Sequence, residues 1–383
     1  MVMPDNEGDC RMQKSIDVGV FIPTVSRGWF HSVNTRYLPG TYEHVLHVVR
    51  GAELWGYDFV LSPQNWRGTK GTSKYWRHSL NSMAVTGALL QATNRIKVWS
   101  TGYVTETPPA VFADTLATFD QIAPGRIGLN IVTGGKKDIF DTLGMWDDSL
   151  DHAERYEKAA EWVDVVKALW TQDVVNHDGK YFHLYDAMMD PKPSVLPTLV
   201  NAGASESGLK FAIENCDIAF IACGDDPELI QAAKDSRRLA ESMSDRPTKI
   251  YALLTLIPGE TSSQARELME WIEAGVDLDG LADMESGYRA NKSFDKLSSS
   301  SLSLIGGKDY RSVQRGTIVG SYDELPEMLA RVVTEAELDG VMLIVPDYIE
   351  HLQSLALRTF PRLAEFGITT RLSSPKINAN IRP

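Results

Sequence analysis

Eight short apolar runs, separated by helical patterns, constrain the fold of this sequence more than any other feature. They are residues 17–23 (DVGVFIP), 57–63 (YDFVLSP), 96–104 (IKVWSTGYV) and 126–134 (RIGLNIVTG). Four more follow at 198–203 (TLVNAG), 216–223 (CDIAFIAC), 249–258 (KIYALLTLIP) and 340–346 (GVMLIVP). Each is nearly continuous in hydrophobicity, where a strand with one wet face would alternate. Parallel strands covered on both faces read this way. Between them, Thr107-Pro108-Pro109 opens a helix over 110–121 and Asp226-Pro227 opens one over 228–243. Residues 153–170 repeat apolar side chains at three and four, and Ser321 with Glu324 forms a capping box for 322–338. Eight strands with intervening helices predict an α/β chain closed into a (β/α)8 barrel. A doubly wound open sheet is the alternative, weakened by the strand count and by the lack of GxGxxG after the first strand.

Length allows one large core or two smaller ones and does not decide between them, since barrels often run long as one domain. The chain has 383 residues, 43% of them hydrophobic, which supports an ordinary globular core. We expect a single barrel over 16–370 between a loose N-terminal tail (1–15) and a C-terminal tail (371–383). Two segments exceed ordinary barrel loops: 173–196, and an insertion at 277–317 before the last strand that includes the run Ser298–Ser301. A net charge of −13 argues against a nucleic-acid surface, which needs a basic stripe. It leaves room for one small anion held by backbone N–H groups. Cys10, Cys216 and Cys223 form neither a CxxC pair nor a metal spacing, so a reduced, cytoplasmic protein without metal is expected. No apolar run approaches the roughly 20 residues of a membrane span.

In such a barrel the carboxyl ends of the strands carry function. Those ends hold Ser62, Gln64 and Asn65; Ser100 and Thr101; Asn130 and Thr133; and Asn201, Gly203, Ser205 and Ser207. The set is rich in amides and hydroxyls and poor in ionisable pairs. It can orient a planar heterocycle but has little acid–base chemistry of its own, which points to a cofactor as the reactive centre. Asn130, in an otherwise apolar strand, is the sharpest member, because a buried amide needs a partner. Residues 201–208 (NAGASESG) form a small-residue turn before a helix, a cradle for an anion with Gly203 and Ser205 at its centre; an ordinary turn is the plainer reading. Arg155 offers a planar fork for phosphate and Tyr156 a hydroxyl beside it, or else they are a surface cation and a core anchor. His152, one turn before Tyr156, is the single candidate proton shuttle.

From about residue 17 to the final helix these motifs resemble the bacterial-luciferase-like flavin monooxygenases. Within that superfamily they are most similar to the pyrimidine oxygenases that open the uracil ring. The resemblance rests on GVFIP with Gly28-Trp29, DFVLS followed by Arg67-Gly68 and Trp76, and ThrProProAla at 107–110. GRIGLNIVTG, Arg155-Tyr156, GKYF at 179–182, PKPSVLP before NAGAS, and GTIVGSY at 316–322 complete it. It implies FMN bound without a covalent link, supplied reduced by a separate NAD(P)H-dependent reductase and reacting with O2. It also implies FMN contacts from Asn130, Arg155, Tyr156 and Ser205, with Gln64 and Asn65 beside the ring. Thr101 and Asn130 would flank the flavin N5 edge and help place O2. Family members commonly self-associate, so a homo-oligomer is expected.

The departures lie around the ring. Those pyrimidine oxygenases carry an apolar residue and a lysine where this chain has Gln64 and Asn65. They carry a glutamate after the fourth strand where this chain has Ile139. Losing a lysine changes which heteroatoms the site can bind. The expected activity is oxidative cleavage of a small nitrogen heterocycle of the uracil type. A riboflavin-degrading lyase, an oxygenase for alkanes, sulfonates or chelators, and a flavin- or deazaflavin-binding hydride-transfer protein remain as alternatives.

Overall fold

The computed structural model describes residues 14–36, 38–134, 137–203, 205–244, 248–289 and 311–373. All eight apolar runs form strands: β1 (Asp17–Phe21), β2 (Phe59–Leu61), β3 (Lys97–Tyr103), β4 (Ile127–Val132), β5 (Thr198–Asn201), β6 (Ile218–Ala222), β7 (Lys249–Gly259) and β8 (Gly340–Ile344). Each pairs in parallel with its neighbour, and β8 returns to β1 through Gly340↔Asp17 to Leu343↔Val20. The sheet therefore closes, and the open-sheet alternative falls.

The helices start where their capping residues dictate. Pro109 opens Pro109–Ile122, and Asp226 caps Pro227–Met243 by accepting from the N–H groups of Glu228 and Leu229. Asp151 and Glu154 form a full capping box for His152–Thr171 that the sequence reading overlooked. Ser321 and Glu324 exchange the expected bonds, but the helix runs only over Leu325–Glu335.

Three features go beyond the repeat. β7 is long enough to change partners: past its pairing with β8 it takes up a short strand, Ile318–Ser321. The segment 173–196 contains an antiparallel hairpin, Val175–Asp178 with His183–Ala187. Lys14 and Ser15, expected in the tail, pair with Ile368 and Thr369. The insertion contributes the helix Leu278–Arg289. The serine run, the first thirteen residues and 374–383 lie outside the described residues. No helix among the described residues is long and apolar enough to cross a membrane.

The core has two layers. The larger one fills the space between barrel and helices. The smaller lies inside the barrel and is built from Phe59, Trp99, Phe220, Tyr251 and their neighbours. Three rings in it face a glycine directly across the ladder: Phe59 opposite Gly19, Trp99 opposite Gly128, and Tyr251 opposite Gly340. A Cβ on these glycines would fall 2.3, 2.5 and 2.7 Å from the facing rings. The barrel is thus plugged below its carboxyl rim, and its interior leaves ligand space above the plug.

Candidate active site

Above that plug lies a cavity of about 150 Å³. Phe21, Leu61, Phe220, Leu253 and Met342, which continue the inward-facing positions of their strands, line it together with Trp29. Trp29 is held by stacking on Phe21 at 3.7 Å and by donating its indole N–H to the Phe21 carbonyl. Only two of the lining side chains are carboxamides, Asn130 and Gln314.

Asn130 is held by a relay that crosses three strands. Its Nδ2 donates to Thr101 Oγ1 at 3.2 Å, the residue directly opposite on β3. Thr101 Oγ1 donates to the Ser62 carbonyl at 2.8 Å, and the Thr101 N–H donates to Ser82 Oγ at 2.8 Å. The Ser82 N–H in turn donates to Gln64 Oε1 at 2.6 Å. Because the Thr101 proton is committed to Ser62, its oxygen can only accept from Asn130. The relay therefore fixes which end of the Asn130 carboxamide faces Thr101. Asn130 Oδ1 is left buried with no partner. An unmet buried acceptor costs about 1–3 kcal/mol, so its retention at a cavity wall is a mark of ligand binding.

Gln64 and Asn65, expected beside a flavin ring, direct their side chains to backbone. Gln64 holds the first turn of the helix Ser82–Ala92, and Asn65 Nδ2 donates to the Arg67 carbonyl at 2.6 Å. Both are almost fully buried.

A second cluster forms where the helices His152–Thr171 and Glu206–Asn215 begin. Ser205 caps the latter, its Oγ accepting from the Gly208 N–H at 3.1 Å. His152 Nε2 lies 3.2 Å from the same Oγ, and the Tyr156 hydroxyl bonds to Ser205 and Thr133. Burial pushes the Tyr156 phenol above its ordinary range, so it stays a neutral hydrogen-bonding group. The Gly203 N–H donates to Asn201 Oδ1 at 2.8 Å. A Cβ on Gly203 or on Gly208 would lie 2.6 Å from the Tyr156 hydroxyl, so only glycine lets the turn close on the tyrosine. Two helix N-termini and a hydroxyl converge here, which favours an anion. Arg155 is 5% exposed; its Nη1 donates to the Leu150 carbonyl at 2.8 Å and its guanidinium lies 5.1 Å from the centre of the Trp146 ring. The structure thus brings His152, Tyr156, Gly203 and Ser205 together and joins Thr101 to Asn130. The two groups meet along β4 and β5, through Thr133 and Asn201.

The rim loops are cross-linked. Arg67 Nη1 pairs with Asp138 at 2.6 Å and its Nη2 with both carboxylate oxygens of Asp283 at 2.8 and 2.9 Å. Burial alone would raise the Asp277 carboxyl, but it accepts from the Ser73 hydroxyl and from the N–H groups of Ser73, Gly280 and Thr72, and these bonds hold it below the usual range. The loop after β2 is therefore tied to the insertion. Among the described residues no group of His, Cys, Asp and Glu is placed to hold a metal ion.

This architecture matches known proteins. The family model for luciferase-like monooxygenases matches residues 16–334. The chain belongs to the luciferase-like monooxygenase family. A pyrimidine monooxygenase RutA from Caulobacter sp. (strain K31) is 31% identical over 350 residues, covering 90% of this chain and 98% of that one. The RutA of Allorhizobium ampelinum is 33% identical, covering 87% and 92%. Among solved structures, a riboflavin lyase, RcaE, described with modified FMN and riboflavin, superposes with a TM-score of 0.80 at 19% identity, over 95% of each chain. The long-chain alkane monooxygenase LadA gives 0.77 at 20% identity, over 96% of this chain and 97% of that one. At these identities the solved structures show the fold alone. As a luciferase-like monooxygenase, the chain is a flavin-dependent enzyme that uses O2. Among the polar residues of this cavity, sequence reading missed Gln314, which lies inside the insertion and outside the strand repeat, where periodicity gives no signal.

Proposed function

We propose that this monooxygenase uses reduced FMN and O2 to oxidise and open the ring of a uracil-type lactam. The relatives at 31 and 33% identity are named pyrimidine monooxygenases and are matched over nearly their whole length. The observation that carries the reading is Asn130: a buried carboxamide fixed by Thr101, with an unpartnered oxygen, at the wall of a cavity sized for one six-membered ring.

The residues present fit a flavin mononucleotide. The helix starts at Ser205 and His152, with the Tyr156 hydroxyl, supply the neutral and partly positive surroundings that a phosphate needs. Arg155 would add its charge by exchanging the Leu150 carbonyl for a phosphate oxygen. Reduced FMN, when bound, supplies the two electrons that activate O2, so that one oxygen atom enters the substrate and the other leaves as water. This chain's own residues do the rest. Asn130, fixed by Thr101, offers its unpartnered Oδ1 as an acceptor at one point of the rim, positioning what reacts there. Phe21, Trp29 and Phe220 exclude water. His152, in contact with Ser205, is the group able to move a proton near the cluster. A separate NAD(P)H-dependent reductase would supply the reduced flavin in the cytoplasm, and the enzyme would act as a homo-oligomer.

Asn130→Ala tests the reading. The variant loses the Nδ2–Thr101 bond but also removes the unmet buried Oδ1, two effects of opposite sign, so its thermal midpoint should stay within about 2 °C of the parent, while uracil consumption with reduced FMN should fall by about 100-fold. Product mass from parallel reactions with uracil, thymine and riboflavin identifies the substrate. Full activity in Asn130→Ala, or turnover of riboflavin in preference to the pyrimidines, would refute it.

A further inference from the structure

Gln314 stands opposite a purely apolar wall in every respect but one: Asn130 shares its cavity. Its Oε1 accepts from Thr255 Oγ1 on β7 at 3.4 Å, which leaves Nε2 without a protein partner among the described residues. Its backbone is pinned, since the Gln314 carbonyl accepts from Thr317 Oγ1 at 2.6 Å and from the Thr317 N–H at 3.3 Å. Asn130 has the reverse polarity: its Nδ2 is engaged by Thr101 through one N–H and its oxygen is unmet. Among the described residues the cavity therefore offers an unpartnered donor nitrogen on Gln314 and an unpartnered acceptor oxygen on Asn130, both neutral, among lining side chains that are otherwise aliphatic or aromatic.

We infer that Gln314 and Asn130 read the cis-lactam edge of a six-membered ring, with Gln314 as the specificity-determining residue. The ring N–H donates to Asn130 Oδ1, and the adjoining carbonyl accepts from Gln314 Nε2. A neutral pair suits a neutral lactam, whose N–H and C=O lie side by side in one plane. A carboxylate substrate would find no countercharge here, and a hydrocarbon would leave both amides unpaired. The cavity volume matches one such ring, as a cavity of about 150 Å³ admits benzene. Two molecules offer this edge, a free pyrimidine and the pyrimidine portion of the flavin itself. The inference rests on the pyrimidine reading above for the first source only.

The test is calorimetric titration of uracil into protein saturated with oxidised FMN, and separately fluorescence titration of oxidised FMN alone. Both are run on the parent, on Gln314→Leu, which removes the donor, and on Gln314→Glu, which replaces it with an acceptor. A rise of about tenfold or more in the uracil dissociation constant in both variants, with FMN binding changed by less than about twofold, assigns the edge to the substrate. The same rise for FMN, with uracil unaffected, assigns the edge to the flavin ring and supports the donor–acceptor pair while removing the substrate from it. A parent that binds FMN but not uracil defeats the proposed substrate, and the FMN arm then decides the pair alone. If neither ligand responds to either substitution, Gln314 has no role in recognition and the inference is wrong.

Discussion

Ser205 does two jobs that substitution can separate. As an N-cap it needs only an acceptor for the Gly208 N–H, and aspartate caps as well as serine. As part of an anion cradle it must not be charged. Ser205→Asp should therefore fold normally and lose FMN affinity, by about tenfold or more, because a carboxylate would sit beside the phosphate. Fluorescence titration measures the affinity and circular dichroism the fold. An unchanged affinity would move the phosphate site away from this turn. At this scale the sequence announced polar residues by their position at strand ends, and Thr101, Asn130, Tyr156 and Ser205 meet as hydrogen-bonded sets. It did not announce what each side chain would bond. Gln64 and Asn65 look free on paper, yet the Ser82 N–H at the start of the next helix occupies the first and the Arg67 carbonyl of the loop the second.

The loops above the barrel behave as one assembly because charges bind them. Arg67 bridges Asp138, from the short helix Lys137–Thr142, and Asp283, from the helix Leu278–Arg289. All three side chains are at least three-quarters buried, so the pairs are shielded from salt more than surface pairs are. Gly287 packs against Asp138 closely enough that a Cβ would come within 2.6 Å of its carboxyl. Removing the cation leaves two carboxylates facing each other. Arg67→Met should loosen the helix Leu278–Arg289, raising its hydrogen-exchange rates by about tenfold, equivalent to about 1.4 kcal/mol, and should raise the substrate KM more than it lowers kcat. Exchange confined to the parent rate would mean that Asp277 alone holds the insertion. These ties were not legible in the sequence. Strands and helices declare themselves through local periodicity, whereas Arg67 and Asp283 are 216 residues apart and nothing local links them. The same limit hid the strand Ile318–Ser321, which exists only because β7 outruns its pairing with β8.

For the molecule as a whole, the position of the site follows from how the barrel is filled. Eight strands leave an interior that side chains must plug. Here Phe59, Trp99 and Tyr251 do so, and each takes its room from the glycine beside it in the ladder. This complementarity lowers the plug and leaves the carboxyl rim open for a planar ring. Gly128 is the most informative position, because it lies two residues before Asn130 on the same inward face of β4. In Gly128→Ala the new methyl would stand 2.5 Å from the Trp99 ring, which is stacked on Phe59 at 4.1 Å and has no space to retreat. Overpacking of this kind costs about 1–3 kcal/mol, and the strain should pass up β4 to the Thr101–Asn130 contact. We therefore expect both a lower thermal midpoint and weaker FMN binding. Adding Trp99→Phe to Gly128→Ala supplies the missing volume, so the double variant should recover stability relative to Gly128→Ala alone, a non-additive result. If the two substitutions instead sum, the ring and the glycine are not partners, and the height of the cavity floor is set by some other part of the barrel.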